Sequence, residues 1–558
     1  MRGPNSYERR KSVDSPQKPC YIFFRKWKKA PIKGFRKGRE TMPAETITPS
    51  QWKEDYKDFA EATRKFYAKE IDAKTYKGIS GGFGSYAQKG GAASMLRLRM
   101  PGGRINKDKL KFIADSIETY HIDKVHFTTC QTVQLHNLNE STVCTLAVEA
   151  LSHGIVTRGG GGDFPRNVMV SPLAGVEEGE YFDVLPYAMK ASDFLMGYIR
   201  GPKLPRKLKV CFSNTPKNVP HATFRDLGFV ARPDGRFDVY SAGGLGNRPA
   251  FGVKVAEAVE PSRILYYIQA MYETFLAYGN YENRAKARTR FMQEALGGPE
   301  NYKKAYLEKL DGVMASGRDL TLTAEEMPVT KKGEGEAPKN RRILAQKQPG
   351  LYTVKYHPVG GSPKPEFFGN LYQVIKDMDQ VELRLSPDEA LYIINCTAPE
   401  AEQVLEVTAD SASTTFEESV ACIGASICQQ GVRDSQGLIK KLVEMEQAEG
   451  FADGILPQIH ISGCPSSCGT HQTGILGFHG GVKVIDKVAK PAFTLHFGGC
   501  DLQDKERMGD QLGVMLEENI PSFLRTLGQA VAASGKDFEG WLSENPEGVR
   551  ELAAGYLC

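Results

Sequence analysis

Two hydrophobic periods alternate along this chain, and the switches between them mark its elements. Trp52 to Lys69 carries apolar residues at helical spacing and predicts a helix. Gly78 to Gly91 is glycine-rich and predicts a loop. Met95-Leu-Arg-Leu-Arg-Met100 alternates and predicts a strand, ended by Pro101-Gly102-Gly103. An amphipathic helix follows over Lys107 to Thr119, then strand patterns at Lys124 to Thr129 and Thr132 to His136, and the unit closes near Leu151. A second unit repeats this order. Leu351 to Tyr356 alternates and meets Pro358 and a Gly360-Gly361 turn, followed by a helix at Leu371 to Asp377 and strands at Val381 to Leu385 and Ala390 to Asn395.

The segments between these units echo each other as well. Leu204-Pro205 opens a strand in the first half and Leu456-Pro457 opens one in the second. Phe237-Asp-Val-Tyr-Ser-Ala-Gly-Gly244 has its counterpart in Phe493-Thr-Leu-His-Phe-Gly-Gly499. Two echoes in one order, together with the matching small units, indicate a duplicated two-part unit of α+β class. Thr323 to Gly350, with its Lys331-Lys332-Gly333-Glu334-Gly335-Glu336 run, reads as the linker between the halves.

Composition narrows the class. The 558 residues are 41% hydrophobic and 25% charged, which excludes a disordered or collagen-like chain. No apolar run reaches the ~18 residues that a membrane helix needs. The net charge of +5 comes from one place: residues 1–41 hold 13 Lys/Arg against 3 Asp/Glu, so the rest is mildly acidic. A nucleic-acid reading would rest on that extension alone, and none is adopted. The extension has no apolar stretch for a secretory signal, and Met42 behind Gly38-Arg39-Glu40 is the expected true start, with residues 1–41 disordered or untranslated. Eleven cysteines, an odd and mostly scattered set, point to free thiols in a reducing cytoplasm.

Four cysteines are not scattered. Cys422-Ile-Gly-Ala-Ser-Ile-Cys428 and Cys464-Pro-Ser-Ser-Cys468 offer four soft sulfur ligands, suited to zinc or an iron–sulfur cluster. Zinc sites more often place two or four residues between paired cysteines. Here five and three intervene, among Gly424, Ala425, Ser426, Gly463, Ser466, Ser467 and Gly469, small residues that let backbone N–H groups approach cluster sulfurs. The alternative of four buried structural thiols would suit one pair better than two pairs in Gly/Ser loops.

This C-x5-C, C-x3-C pattern resembles the sirohaem and [4Fe–4S] signature of the sulfite/nitrite reductase family. The resemblance runs from about Lys77 to about Gly499 and includes Met95-Leu96-Arg97-Leu98-Arg99 before Pro-Gly-Gly, Phe164-Pro165-Arg166-Asn167, Leu204-Pro205-Arg206-Lys207-Leu208-Lys209 and His460-Ile461-Ser462-Gly463-Cys464-Pro465. It implies two ferredoxin-like half-units and two larger α/β units about a pseudo-twofold axis, with the cofactors where they meet. The expected layout is a helical segment at 42–75, ferredoxin-like half-units at 76–151 and 351–408, a first sirohaem-binding α/β unit at 152–322, the linker at 323–350, and a second α/β unit carrying the cysteines at 409–558. It also implies that Cys422, Cys428, Cys464 and Cys468 ligate the cluster and that Cys468 bridges it to the sirohaem iron.

By the same resemblance, Arg97, Arg166, Lys207 and Lys209 are the distal-pocket positions. Cations in a low-dielectric cavity hold an oxyanion and stabilise oxygens leaving as water, each bond contributing roughly 1.5–3 kcal/mol. Sirohaem carries many carboxylates and needs a basic cradle. Arg158, Asn167 and Gln131 are candidates, with Arg284 and Arg288 expected on one face of a helix over 283–290. One departure stands out: the family usually has Thr-Thr-Arg-Gln where this chain has Thr128-Thr129-Cys130-Gln131. Cys130 cannot donate the bond of that Arg, and a neutral filler is the favoured reading over a functional thiol.

The resulting expectation is six-electron reduction of sulfite to sulfide, because two lysines suit doubly charged sulfite better than singly charged nitrite. Nitrite reduction to ammonia is the alternative at the same site, and an iron–sulfur electron carrier or redox sensor without sirohaem is the alternative from another class. No flavin or nicotinamide unit is legible, so the expected donor is ferredoxin or a separate flavoprotein reductase.

Overall fold

The computed structural model describes residues 49–558, so the expectations for residues 1–41 and for Met42 lie outside the described residues. The first described element is the helix Pro49–Tyr67. It buries Trp52, Tyr56 and Phe59 and leaves its charged positions exposed or half-buried.

The first small sheet is antiparallel, with Ser94–Arg99 and Thr132–Leu138 at its centre and Ser85–Ala87 and Val125–Thr128 at its edges. Leu96 and Leu98 are fully buried on one face of the central strand, and the alternation sends Arg97 and Arg99 to the other. Helices Lys107–Tyr120 and Glu140–Glu149 follow, each started by an Asn side chain, Asn106 and Asn139, that accepts from a first-turn backbone N–H. The second small sheet repeats the order with Ile343–Ala345, Tyr352–Tyr356, Leu391–Cys396 and Glu382–Leu385. It also takes a short strand, Arg104–Ile105, from the first half. Arg104 clasps Glu382 there at 2.6 Å, so each half completes the other.

The two larger sheets share one topology. In the first, Met169–Val170, Val210–Ser213 and Leu227–Ala231 run parallel, then Phe237–Ser241 and Val253–Val259 return antiparallel. In the second, Val420–Ala421, Ile459–Ser462 and Leu476–Ile485 run parallel, then Val488–Phe497 and Asp510–Leu516 return antiparallel. Each sheet has its own core. Leu185–Met196, Ile264–Tyr278 and Pro299–Ala315 pack on the first, and Ser435–Glu449 and Ile520–Ala533 on the second. The match extends to single glycines. A Cβ on Gly228 would fall 1.8 Å from the Ala222 carbonyl, and one on Gly477 would fall 1.8 Å from that of His471. Both strands therefore need glycine where the preceding loop crosses them.

Within 323–350, Ile343–Ala345 forms the edge strand of the second small sheet. Three local expectations are corrected. The glycine-rich loop holds the end of helix Ala73–Ser80 and the strand Ser85–Ala87, which pairs with Ser94–Leu96. Leu204-Pro205 does not open a strand: Pro202 and Pro205 lack backbone donors, and the ladder begins at Val210. Residues 283–290 are not a helix. The Asn283 side chain accepts from Ala285 N and closes a single turn over Arg284–Lys286, which puts Arg284 and Arg288 on different partners.

Candidate active site

The four cysteines of the second half come together. Cys428 and Cys464 act on the Cys468 thiol, and Cys468 acts in turn on Cys422. Burial and the neighbouring sulfur push Cys422 up to about 12 in the absence of a metal. Gly463 N donates to Cys422 Sγ at 3.2 Å and Gln430 N to Cys428 Sγ at 3.4 Å. Ser435 Oγ lies 3.3 Å from Cys422 Sγ. Gly424 has a positive φ of 66°, and a Cβ there would fall 2.6 Å from Ser435 N. The small residues around the cysteines thus admit the N–H groups that reach the sulfurs. The first half is tied directly to this loop, since Thr129 Oγ1 donates to the Cys468 carbonyl at 2.8 Å.

Opposite the sulfurs lies a basic cup built by the first half. Arg97 Nη1 and Arg166 Nη1 both donate to the Gly160 carbonyl, at 2.7 and 2.8 Å, so the glycine run 159–162 draws the two guanidinium groups together. The buried Arg99 holds that run from beneath, donating to the carbonyls of Arg158 and Arg166. Lys207 and Lys209 stand two residues apart at the entry to strand Val210–Ser213 and share a face. Burial and the neighbouring Lys209, Arg288 and Arg166 push the Lys207 amine well below its usual range, and it also senses the Cys468 sulfur. The cup and the sulfurs therefore face one space.

The family models match both parts of the first half. Residues 86–151 match the nitrite/sulfite reductase ferredoxin-like half domain, and residues 161–312 match the nitrite and sulphite reductase 4Fe-4S domain. The chain belongs to the nitrite and sulfite reductase family. It is 26% identical over 406 residues to a chloroplastic ferredoxin–nitrite reductase of Arabidopsis thaliana, covering 69% of this chain and 67% of that one. To the ferredoxin–nitrite reductase of Leptolyngbya laminosa it is 25% identical over 442 residues, covering 76% and 83%. The solved structure of the NirA protein of Mycobacterium tuberculosis shares the fold, with a TM-score of 0.72 at 21% identity over 90% of this chain and 97% of that one.

As a member of this family the protein is an enzyme, with sirohaem and a [4Fe–4S] cluster as its cofactors. Its residues fit both groups. The four thiols with N–H donors fit the cluster. For the polycarboxylate macrocycle the fit lies in spare N–H donors on buried cations: Arg166 Nε, Arg288 Nε and Arg290 Nη1 are buried without hydrogen-bond partners. Lys207 has no ion-pair partner among the described residues. Such positive charge needs anions.

The side chains expected to hold the macrocycle divide into two groups. Arg288 stays in the cup, donating to Asp226 at 2.9 Å and acting on both lysines. The others are engaged by protein. Arg158 stacks on Phe83 at 4.4 Å and pairs with Asp55 of the first helix at 3.3 Å. Arg284 forks onto Asp163 at 2.8 and 3.1 Å, beside Arg206. Asn167 donates to the carbonyls of Met100, Cys130 and Gln131. Gln131 donates to the carbonyls of Val170 and Leu385 and accepts from Val170 N. Asn167 and Gln131 therefore shape the turn at 128–131 from within.

Three site residues escaped the sequence reading, and one was misread. Arg225 is buried beside Cys130 and Lys209. Asp226 accepts from Lys209 N and from Arg288, anchoring both cations. Tyr86 accepts from Gly162 N at 2.8 Å, and although burial opposes it, Arg166, Arg97 and Arg206 draw its hydroxyl below the usual range. The misread residue is Cys130, which is no neutral filler. Lys209 Nζ donates to its sulfur at 3.1 Å. Burial pushes the thiol up, but Lys209, Arg225 and Lys207 outweigh it and bring it down to about 6. Only the packed fold brings these cations to it, so no local sequence signal marked the pairing.

Proposed function

We propose that this enzyme reduces nitrite to ammonia with six electrons from ferredoxin, with sulfite as a second substrate of the same pocket, in a reducing cytoplasm. When bound, sirohaem would supply an iron for the oxyanion and the cluster would supply electrons. Arg97, Arg166 and Lys207 would neutralise the substrate's charge and favour departure of its oxygens as water. Lys207, its proton loosened by burial and three neighbouring cations, and Tyr86, its acidity raised by three arginines, are the groups that would donate protons there.

One observation carries the preference for nitrite. The second lysine, on which the sulfite expectation rests, is compensated by the Cys130 thiolate at 3.1 Å. The net charge left for the substrate is smaller by one, which suits a monoanion. The ferredoxin-dependent relatives support the donor. The ten described cysteines, all free thiols, support the compartment. The test is paired turnover on protein loaded with both cofactors and driven by reduced ferredoxin. A kcat/KM for nitrite about tenfold or more above that for sulfite is expected, a gap of ~1.4 kcal/mol. A preference for sulfite overturns the reading.

A further inference from the structure

The duplication allows one part of the second half to be compared with its own copy. In the first larger sheet, Ala222 and Val230 are buried with Met169 and Cys211 in a small apolar cluster, and Tyr240 packs against it. The strand registers identify the equivalent positions. Val230 pairs with Ser213 as His479 pairs with Ser462, and Tyr240 pairs with Gly228 as His496 pairs with Gly477. Ala222 lies over the Gly228 gap as His471 lies over the Gly477 gap. Three positions that one copy fills with apolar contacts thus carry three imidazoles in the other. The fold of the unit does not require them.

The three rings converge. One ring nitrogen from each of His471, His479 and His496 lies within 4.8 Å of the others. The ring centroids are 4.8, 4.8 and 5.0 Å apart. His471 and His496 are buried, at 1% and 2% exposure, while His479 is half-buried and opens the group to one side. His471 Nδ1 is buried without a hydrogen-bond partner. His479 Nδ1 lies 2.8 Å from His496 Nε2, and His496 Nδ1 faces the Gly509 carbonyl at 3.5 Å. Burial and the neighbouring rings hold the imidazoles neutral, as ligands must be, with His496 drawn down to about 4.

We propose that His471, His479 and His496 bind one divalent transition-metal ion of the zinc class. Imidazole is a ligand of choice for such ions, and three histidines with a fourth position open to water make a familiar coordination set. A tetrahedral ion with nitrogens at ~2.0–2.1 Å holds them about 3.3–3.4 Å apart, so ring rotations of about an ångström close the set. His496 would bind through Nε2 with its Nδ1–H directed at Gly509, the usual outer support of a ligating histidine. His479 would bind through Nδ1 by moving its proton to Nε2, which keeps the ring neutral. The ion would fasten the loop that begins at Cys464, through His471, to the two long strands Leu476–Ile485 and Val488–Phe497.

The test uses the holoenzyme, with the cluster cysteines occupied by iron. It is stripped with a mild chelator, dialysed against dilute zinc and analysed for zinc, iron and sirohaem. About one zinc per chain is expected in the parent and about a tenth of that in His479→Gln, with iron and sirohaem unchanged. Zinc near background in the parent, or full zinc in the double variant His479→Gln/His496→Gln, overturns the proposal. Should the variants fail to accumulate, the parent alone decides. Its thermal midpoint should rise with zinc concentration and stay unmoved by magnesium, and no rise with zinc overturns the assignment.

Discussion

Replacing Cys130 with Ser keeps nearly the same volume and removes an anion from the substrate pocket. In the parent the thiol is brought from its usual 9.0 to about 6, so it is mainly thiolate at neutral pH. That change corresponds to ~4 kcal/mol of preference for the charged form, less for a group in partial contact with solvent. At 3.1 Å from Lys209 the bare attraction at an effective dielectric of ~20 would be about 5 kcal/mol, an upper bound. With Ser at this position the Lys209 charge is no longer compensated. A dianion then gains about twice what a monoanion gains. The difference, one unit-charge interaction across a partly solvated pocket, is on the order of 1–2 kcal/mol. The ratio of kcat/KM for sulfite to that for nitrite should therefore rise about 5- to 30-fold. The assay is paired turnover with both cofactors at parental occupancy, checked by iron analysis and the visible spectrum. A ratio unchanged within about twofold would refute the charge argument and the preference for nitrite built on it.

Four further outcomes follow from the structure. Glu446 is 2% exposed and its carboxyl is pushed up to about 7 by burial, so the folded state holds its proton more tightly than the unfolded chain. Its stabilising contribution is complete below about 4.5 and is lost as pH rises through about 7. Glu446→Gln should therefore gain about 2–3 kcal/mol over the parent at pH 8 and little at pH 4.5, read from urea denaturation at the two pH values. Gly228→Ala should fail to give folded protein, because its Cβ would lie 1.8 Å from the Ala222 carbonyl. Gly78→Ala, exposed near the end of a helix with nothing within 4 Å, should stabilise by about 0.5–1 kcal/mol. Cys464→Ser should lose the cluster iron yet unfold cooperatively on heating, and a loss of cooperative unfolding would show that iron is needed to shape the loop.

Features whose signal is local were legible in the sequence. The strand Ser94–Arg99 announced itself by alternation and by the Pro101-Gly102-Gly103 stop, and that alternation already placed Arg97 apart from Leu96 and Leu98. Lys207 and Lys209 were legible as a pair because residues two apart in extended chain share a face. Features that depend on packing were not. Cys130 and Lys209 come from different units, 79 residues apart, and nothing local to either marks their contact. The expected helix over 283–290 is reduced to one turn, started by Asn283 on Ala285 N, and Arg284 and Arg288 leave any common face to meet separate carboxylates, Asp163 and Asp226. Gln131 and Asn167 were placed in the right region, and their amides donate to backbone carbonyls, since a motif identifies a position without showing whether its side chain faces a ligand or its own backbone.

The duplication bears on how the cysteine loop acquires its shape. Ser171 follows Val170 in the first half as Cys422 follows Ala421 in the second, and Val170 and Ala421 hold the same place in their sheets. Thr215 and Val219 stand where Cys464 and Cys468 stand. Yet Asn218 and His221 take left-handed φ values of 50° and 61°, as Ser467 and Thr470 do at 56° and 55°. The copy without cysteines makes the same two left-handed turns. The glycine gaps at Gly228 and Gly477, each crossed by that loop, are likewise common to both. The geometry that presents the sulfurs is therefore set by the sheet and its crossing loop rather than by the metal. The two copies diverged in side chains upon a shared backbone, the first half supplying the cations of the cup and the second supplying the thiols. Thr129 at Cys468 and Arg104 at Glu382 fasten the two halves, so the basic cup of the first and the thiols of the second meet in a single site.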